Sequence, residues 1–107
     1  MRTDRELLEL AAKAVGICES LEWFEKENCF VLDNVVWNPI ADDGDALRLA
    51  VTLNIDFYSG NDEGAATFAG YFIGTVQKFA VVQHNTDPYA ATRRAIVHAA
   101  TEIGGQS

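Results

Sequence analysis

The hydrophobic and polar positions of this chain change period several times, and each change predicts an element. In the opening TDRELLELAAKAVG, Leu7, Leu8, Ala11, Ala14 and Val15 recur at helical spacing and predict an amphipathic helix. Thr3 and Glu6 have the spacing of a capping box, and Gly16 stands where a left-handed residue closes a last turn. Asp4 and Glu6 also meet the positive end of the helix dipole. From Leu21 to Trp37 aromatic and β-branched residues cluster in LEWF, CFVL and VVW. The turn-prone pairs Glu27-Asn28 and Asp33-Asn34 separate them, so two or three short antiparallel strands are expected.

The segment NPIADDGDALRLAVTLN begins with a proline turn and returns to helical spacing. Asp43 or Asp45 is the expected cap, Ala46, Leu47, Leu49, Ala50 and Leu53 the inward face, and Arg48 the outward one. IDFYS then reads as a strand and GNDEG as a turn. ATFAGYFIGTVQKFAVVQH is too long and too β-branched for one strand. Gly70 and Gly74 predict a bulge and a reversal within it, giving two paired strands that finish near His84. The last helix is expected to take Thr86 or Asp87 as its N-cap, Pro88 as its first residue and Gly104-Gly105 as its stop.

This order predicts an α+β domain: a mainly antiparallel sheet of about four to five strands layered with N-terminal, middle and C-terminal helices. The 107 residues suit one domain, 1–107, with a single core. No repeat or low-complexity tract divides them. With 49% hydrophobic and 22% charged residues the composition is that of a folded globular protein.

Charge narrows the partners. Sixteen Asp and Glu against eight Lys and Arg give a net charge of -8, which repels phosphate backbones and argues against bulk binding to DNA or RNA. A small anion can still be bound where a few cations converge. Neither an apolar leader nor a membrane-length run is present, so no membrane association and a cytoplasmic location are expected. Cys18 and Cys29 lack metal-ligand spacing; reduced thiols fit that compartment, and a bridge closing a short loop stays open as an alternative.

Candidate chemistry gathers in three places. At about 100° per residue, Tyr89, Thr92, Ile96, Ala99, Ala100 and Ile103 share one face of the last helix, with Arg94 and His98 opposite. Arg93 falls at the edge of that face, where its stem lies along apolar surface and its guanidinium needs a partner. That partner is either an internal carboxylate, from Asp43, Asp45 or Asp56, or a phosphate or carboxylate ligand suited to bidentate arginine. Trp37-Asn38-Pro39 sets an indole and an amide beside a rigid turn. Trp37 there packs in the core or stacks on a planar ring, and Asn38 caps the turn or reads the ring's edge. In the aromatic segment, Phe68, Phe72 and Phe79 alternate with Tyr71 and Lys78, so one side is core and the other a stacking platform or an interface between copies.

Catalysis finds no support. There is no glycine-rich phosphate loop, no histidine pair at metal spacing and no nucleophile elbow, so no enzyme activity, metal or cofactor is expected. The acidic DDGD lacks the ligand pattern of a calcium loop and reads as helix capping.

Three segments, ELLELAAKAVGI, WNPIADDGDALRLAV and ATRRAIVHAATEIG, resemble small phage and prophage proteins of the phage ABA-sandwich type. The resemblance covers both ends and the middle of the chain and carries no motif of chemistry. It implies an α/β-layered phage gene product acting in the host bacterial cytoplasm. Phage proteins of similar size and layout include the Thoeris anti-defence sponges, oligomers that sequester a cyclic nucleotide immune signal without cleaving it. By that resemblance Arg93 and Arg94 become phosphate ligands, with Trp37 and an exposed aromatic such as Phe72 or Tyr71 stacking on the bases and Asn38 beside them. The expectation is a non-enzymatic homo-oligomer that binds a small anionic nucleotide. The alternatives are an acidic protein-protein inhibitor of a host defence enzyme, motivated by the net charge, and a small structural phage protein.

Overall fold

The computed structural model describes residues 2–60, 65–85 and 87–106. Helix α1 (Asp4–Val15) opens the chain, followed by a 3-10 turn at Cys18–Ser20 and three strands: β1 (Leu21–Phe24), β2 (Cys29–Leu32) and β3 (Val35–Trp37). Helix α2 (Asp43–Leu53) leads to β4 (Asp56–Ser59), β5 (Ala66–Ile73) and β6 (Val76–Gln83), and helix α3 (Pro88–Gly104) ends the fold. The α+β class, the three helices and the antiparallel pairing are as expected. The strand count is not: there are two three-stranded sheets, β1-β2-β3 and β4-β5-β6, rather than one sheet of four to five strands. Asp33 and Asn34 both adopt positive φ, the backbone that a two-residue hairpin requires, and so make a separate strand of the three residues Val35–Trp37.

Local chemistry sets the helix ends. Thr3 and Glu6 form the reciprocal capping box, whose hydrogen bonds hold the Glu6 carboxyl below its ordinary pKa. Gly16, at φ 77°, closes α1. The cap of α2 is Asp42, one residue before the expected choices: its Oδ2 accepts from the Asp45 amide at 2.8 Å, while Asp43 and Asp45 lie inside the first turn. Leu47 is exposed and Leu53 half-buried, so the inward face of α2 is narrower than expected and centres on Ala46, Leu49 and Ala50. Asp87 caps α3 by accepting from the Tyr89 and Ala90 amides. The alternative cap Thr86, and the turn after Gly60, lie outside the described residues.

The C-terminal helix is the hub. It packs against α1, α2, β5 and β6 and touches β4, so it buries Ala91, Ala95, Val97 and Thr101 as well as Ile96, Ala99 and Ala100. A single apolar stripe was too simple an expectation, because small side chains on its second side let α1 come close. A Cβ at Gly104 would sit 1.8 Å from the Leu10 carbonyl oxygen, and Thr101 Oγ1 donates to the Leu7 carbonyl at 3.0 Å. Tyr89, placed on the stripe by spacing, is instead 71% exposed at the helix's first turn.

In the second sheet, Gly74 at φ 63° makes the expected reversal. Gly70 makes no bulge: it pairs in regular register with Asp56 and Phe79, and the Phe79 ring lies across the space a side chain would take. Alternation along β5 turns Thr67, Ala69 and Tyr71 towards α3 and Phe68 and Phe72 away from it. No helix among the described residues is long and apolar enough to cross a membrane.

Candidate functional site

Arg93 extends from α3 towards the turn before α2. That turn is tied by the Asn38 carbonyl, which accepts from the Ala41 and Asp42 amides, and it offers the Ile40 carbonyl outward. Arg93 Nε donates to Ile40 O at 2.8 Å and Nη1 donates to Asp43 Oδ1 at 2.6 Å. Of the three carboxylates considered from sequence, Asp43 is thus the partner. Asp45 accepts from Arg48 and from the Asn38 amide instead, and Asp56 lies on the outward face of β4, beside Gly70. Nη2 of Arg93 has no partner among the described residues.

Beside this pair runs a groove of about 410 Å³ between α2, β4 and α3. Ala46 and Ile96 lie buried at its base, while Leu47, Phe57 and Tyr89 line it with exposed apolar surface. Ser59, Thr92, Arg93 and Asp43 supply its polar groups. The spacing Tyr89, Thr92, Arg93 and Ile96 follows one side of a helix, so α3 contributes a continuous wall. Size and lining suit a small molecule with a flat apolar part and a polar end.

A relay of hydroxyls backs the groove. Thr92 Oγ1 donates its single proton to the Pro88 carbonyl at 2.8 Å, so it accepts in its 2.9 Å contact with Thr67 Oγ1. Thr67 has then committed its own proton and accepts from His84 Nε2 at 2.9 Å, which places the imidazole proton on Nε2. The 3.1 Å contact of Nε2 with Ser59 Oγ is therefore also donation by the imidazole. Ser59 keeps its proton for another acceptor. An imidazole in this tautomer offers Ser59 no base, so the pair is not arranged as an activated nucleophile.

The other candidates from sequence are scattered. Arg94 makes a two-pronged contact with Asp4 of α1, at 3.2 and 3.3 Å. Trp37 is 8% exposed in the core and borders a separate hollow with Leu32 and Leu49. Asn38 caps its own turn, its Oδ1 accepting from the Ile40 amide at 3.2 Å. Tyr71 is buried against α3, and desolvation, with Glu102 adding, raises its hydroxyl above its ordinary pKa of 10.0. Phe72 is exposed on the opposite face of the sheet. Only Arg93 belongs to the groove.

Sequence reasoning passed over Phe57, Ser59 and Tyr89 as site residues. Tyr89 and Thr92 were legible as neighbours of Arg93 on α3; what brings Phe57 and Ser59 to them is the packing of β4, which spacing along the chain does not report. Both cysteines are free thiols. Among the described residues no group of three or more His, Cys, Asp or Glu side chains could hold a metal ion. No protein-family model, curated protein or solved structure matches this chain.

Proposed function

We propose that this protein is a non-enzymatic binding protein whose ligand is a small anion of the nucleotide class, held in the groove between α2, β4 and α3. The observation that carries this reading is Arg93, which lines an apolar groove walled by Tyr89 and Phe57 and whose Nη2 has no partner among the described residues. A base stacks against the tyrosine ring, where each such contact contributes about 1–3 kcal/mol. The phosphate takes the guanidinium fork in place of the exposed Asp43 carboxylate, which swings into solvent. Ser59 donates its uncommitted proton to the ligand's polar edge.

The narrower reading is that capture of a host cyclic nucleotide immune signal serves a phage in the bacterial cytoplasm. Its support is the resemblance of the three segments described above, together with a groove that sets Arg93 beside Tyr89 and Phe57. Titration calorimetry with cyclic oligonucleotides, cyclic ADP-ribose isomers and linear mononucleotides tests both levels. One class is expected to bind with a micromolar or tighter dissociation constant and to be recovered intact by chromatography. If every compound binds more weakly than roughly 1 mM, the nucleotide reading fails.

A further inference from the structure

The outward face of the β4-β5-β6 sheet departs from what an antiparallel sheet open to water should carry. Such a face alternates to polar residues. Here Tyr58 on β4, Phe68 and Phe72 on β5, and Phe79 and Val81 on β6, each between 43% and 69% exposed, point outward, with the uncharged Gln77 and Gln83 towards the two ends of β6. Register makes them one patch: Tyr58, Phe68 and Val81 lie in one cross-strand row, and Phe79 lies over Gly70 of the central strand. Asp56, at the start of β4, is the one carboxylate among these outward positions, although the chain carries a net charge of -8. The outward face of the first sheet differs, since it mixes Phe24 and Val36 with Glu22.

We infer that this face binds a second copy of the chain, sheet against sheet, in a twofold dimer. An aromatic side chain presents 150–250 Å², so at these exposures the patch offers on the order of 500 Å² of apolar surface per copy. Two copies cover about 1,000 Å², the size at which a specific interface begins, and a patch of this size lies in the upper part of the range of the largest apolar patches on monomers, which are often functional. The lack of charge at its centre suits an identical partner. A basic partner would find a single carboxylate, Asp56 on the edge strand β4, and an acidic partner would find no cation among these positions, whereas a second copy meets the apolar centre with apolar surface of its own. Their net charges still repel at long range, so salt tightens the dimer.

The dimer is independent of the groove, because Phe57 and Ser59 turn to one side of β4 and Tyr58 to the other. Sedimentation velocity over a concentration series tests it, with circular dichroism to check folding. The wild type is expected at twice the chain mass, with association strengthening as sodium chloride is raised. Phe79→Glu and Val81→Lys are each expected at the monomer mass with an unchanged spectrum, and Val51→Glu, on the exposed side of α2, is expected to stay dimeric. Should Phe79→Glu not fold, Val81→Lys decides. A wild type that is monomeric at roughly 100 μM overturns the inference, and so does a folded Phe79→Glu or Val81→Lys that remains dimeric.

Discussion

The Arg93 guanidinium and the Asp43 carboxylate, brought from the last helix and the middle one, meet at 2.6 Å with the arginine side chain 17% exposed and the aspartate 72%. The two partners therefore matter unequally to the fold. Loss of Asp43 removes a largely solvated charge, whereas loss of Arg93 also strips the Ile40 carbonyl of its donor and uncovers the apolar surface beneath the stem. Arg93→Ala is expected to lower unfolding free energy by about 2 kcal/mol and Asp43→Asn by under about 1 kcal/mol. Arg94→Ala, which breaks a partly exposed pair, should also stay below about 1 kcal/mol. Urea unfolding of the three variants checks this, and equal losses for Arg93→Ala and Asp43→Asn would contradict it.

Gly104 offers a sharper test of packing. Its missing side chain lets α3 lie against the backbone of α1 at Leu10, and no rotamer can relieve a Cβ placed there. Gly104→Ala should lose more than about 2 kcal/mol despite the better helix propensity of alanine. An alanine variant as stable as the wild type would mean that the two helices are not in close contact.

The ends of α1 and the start of α3 were written plainly in the sequence, because a capping box, Pro88 and Gly16 act over three or four residues, whereas the run of aspartates before α2 hid which of them, Asp42, is its cap. So were the strand pairs, through Asp33-Asn34 and Gly74. The site was less legible. Arg93 drew notice because a cation beside an apolar seam is unusual, yet its partner came from fifty residues away, and three acidic residues were equally plausible from spacing. Trp37 and Asn38 looked like a stacking pair only while the core around Trp37 was unknown. The bulge expected at Gly70 did not form, because the Phe79 ring of the neighbouring strand fills the space that glycine leaves.

The relay behind the groove gives a prediction about one proton. The order of donors from His84 through Thr67 and Thr92 to the Pro88 carbonyl requires the Nε2–H tautomer. Nitrogen chemical shifts of His84 at neutral pH should report that form. Thr67→Val leaves the imidazole donor with Ser59 Oγ alone and takes from the Thr92 oxygen its donor, and should cost about 1 kcal/mol. An Nδ1–H tautomer would break the chain of reasoning and restore Nε2 as a base towards Ser59.

His98 sets a pH dependence. Burial holds its pKa below the ordinary 6.5, with Arg94 adding to the shift and Glu102 and Asp4 opposing it. The folded value lies below the unfolded one, so the unfolded chain takes up this proton first as pH falls. The contribution of His98 is therefore complete above pH 6.5 and is lost below it, towards the folded value. Unfolding midpoints should fall less steeply over this window in His98→Gln than in the wild type. An equal or steeper fall in the variant would contradict the shift.

Tyr89 carries the central claim most cleanly, since a side chain 71% exposed can be removed without touching the core. The decisive measurement is an NMR titration of wild type and Tyr89→Ala with whichever nucleotide binds in calorimetry. Shifts are predicted to concentrate at Phe57, Ser59, Tyr89, Thr92 and Arg93, and Tyr89→Ala is predicted to bind at least about tenfold more weakly at unchanged stability. Shifts clustered around Trp37 and Asn38, or full affinity in Tyr89→Ala, would place the ligand elsewhere and contradict the account.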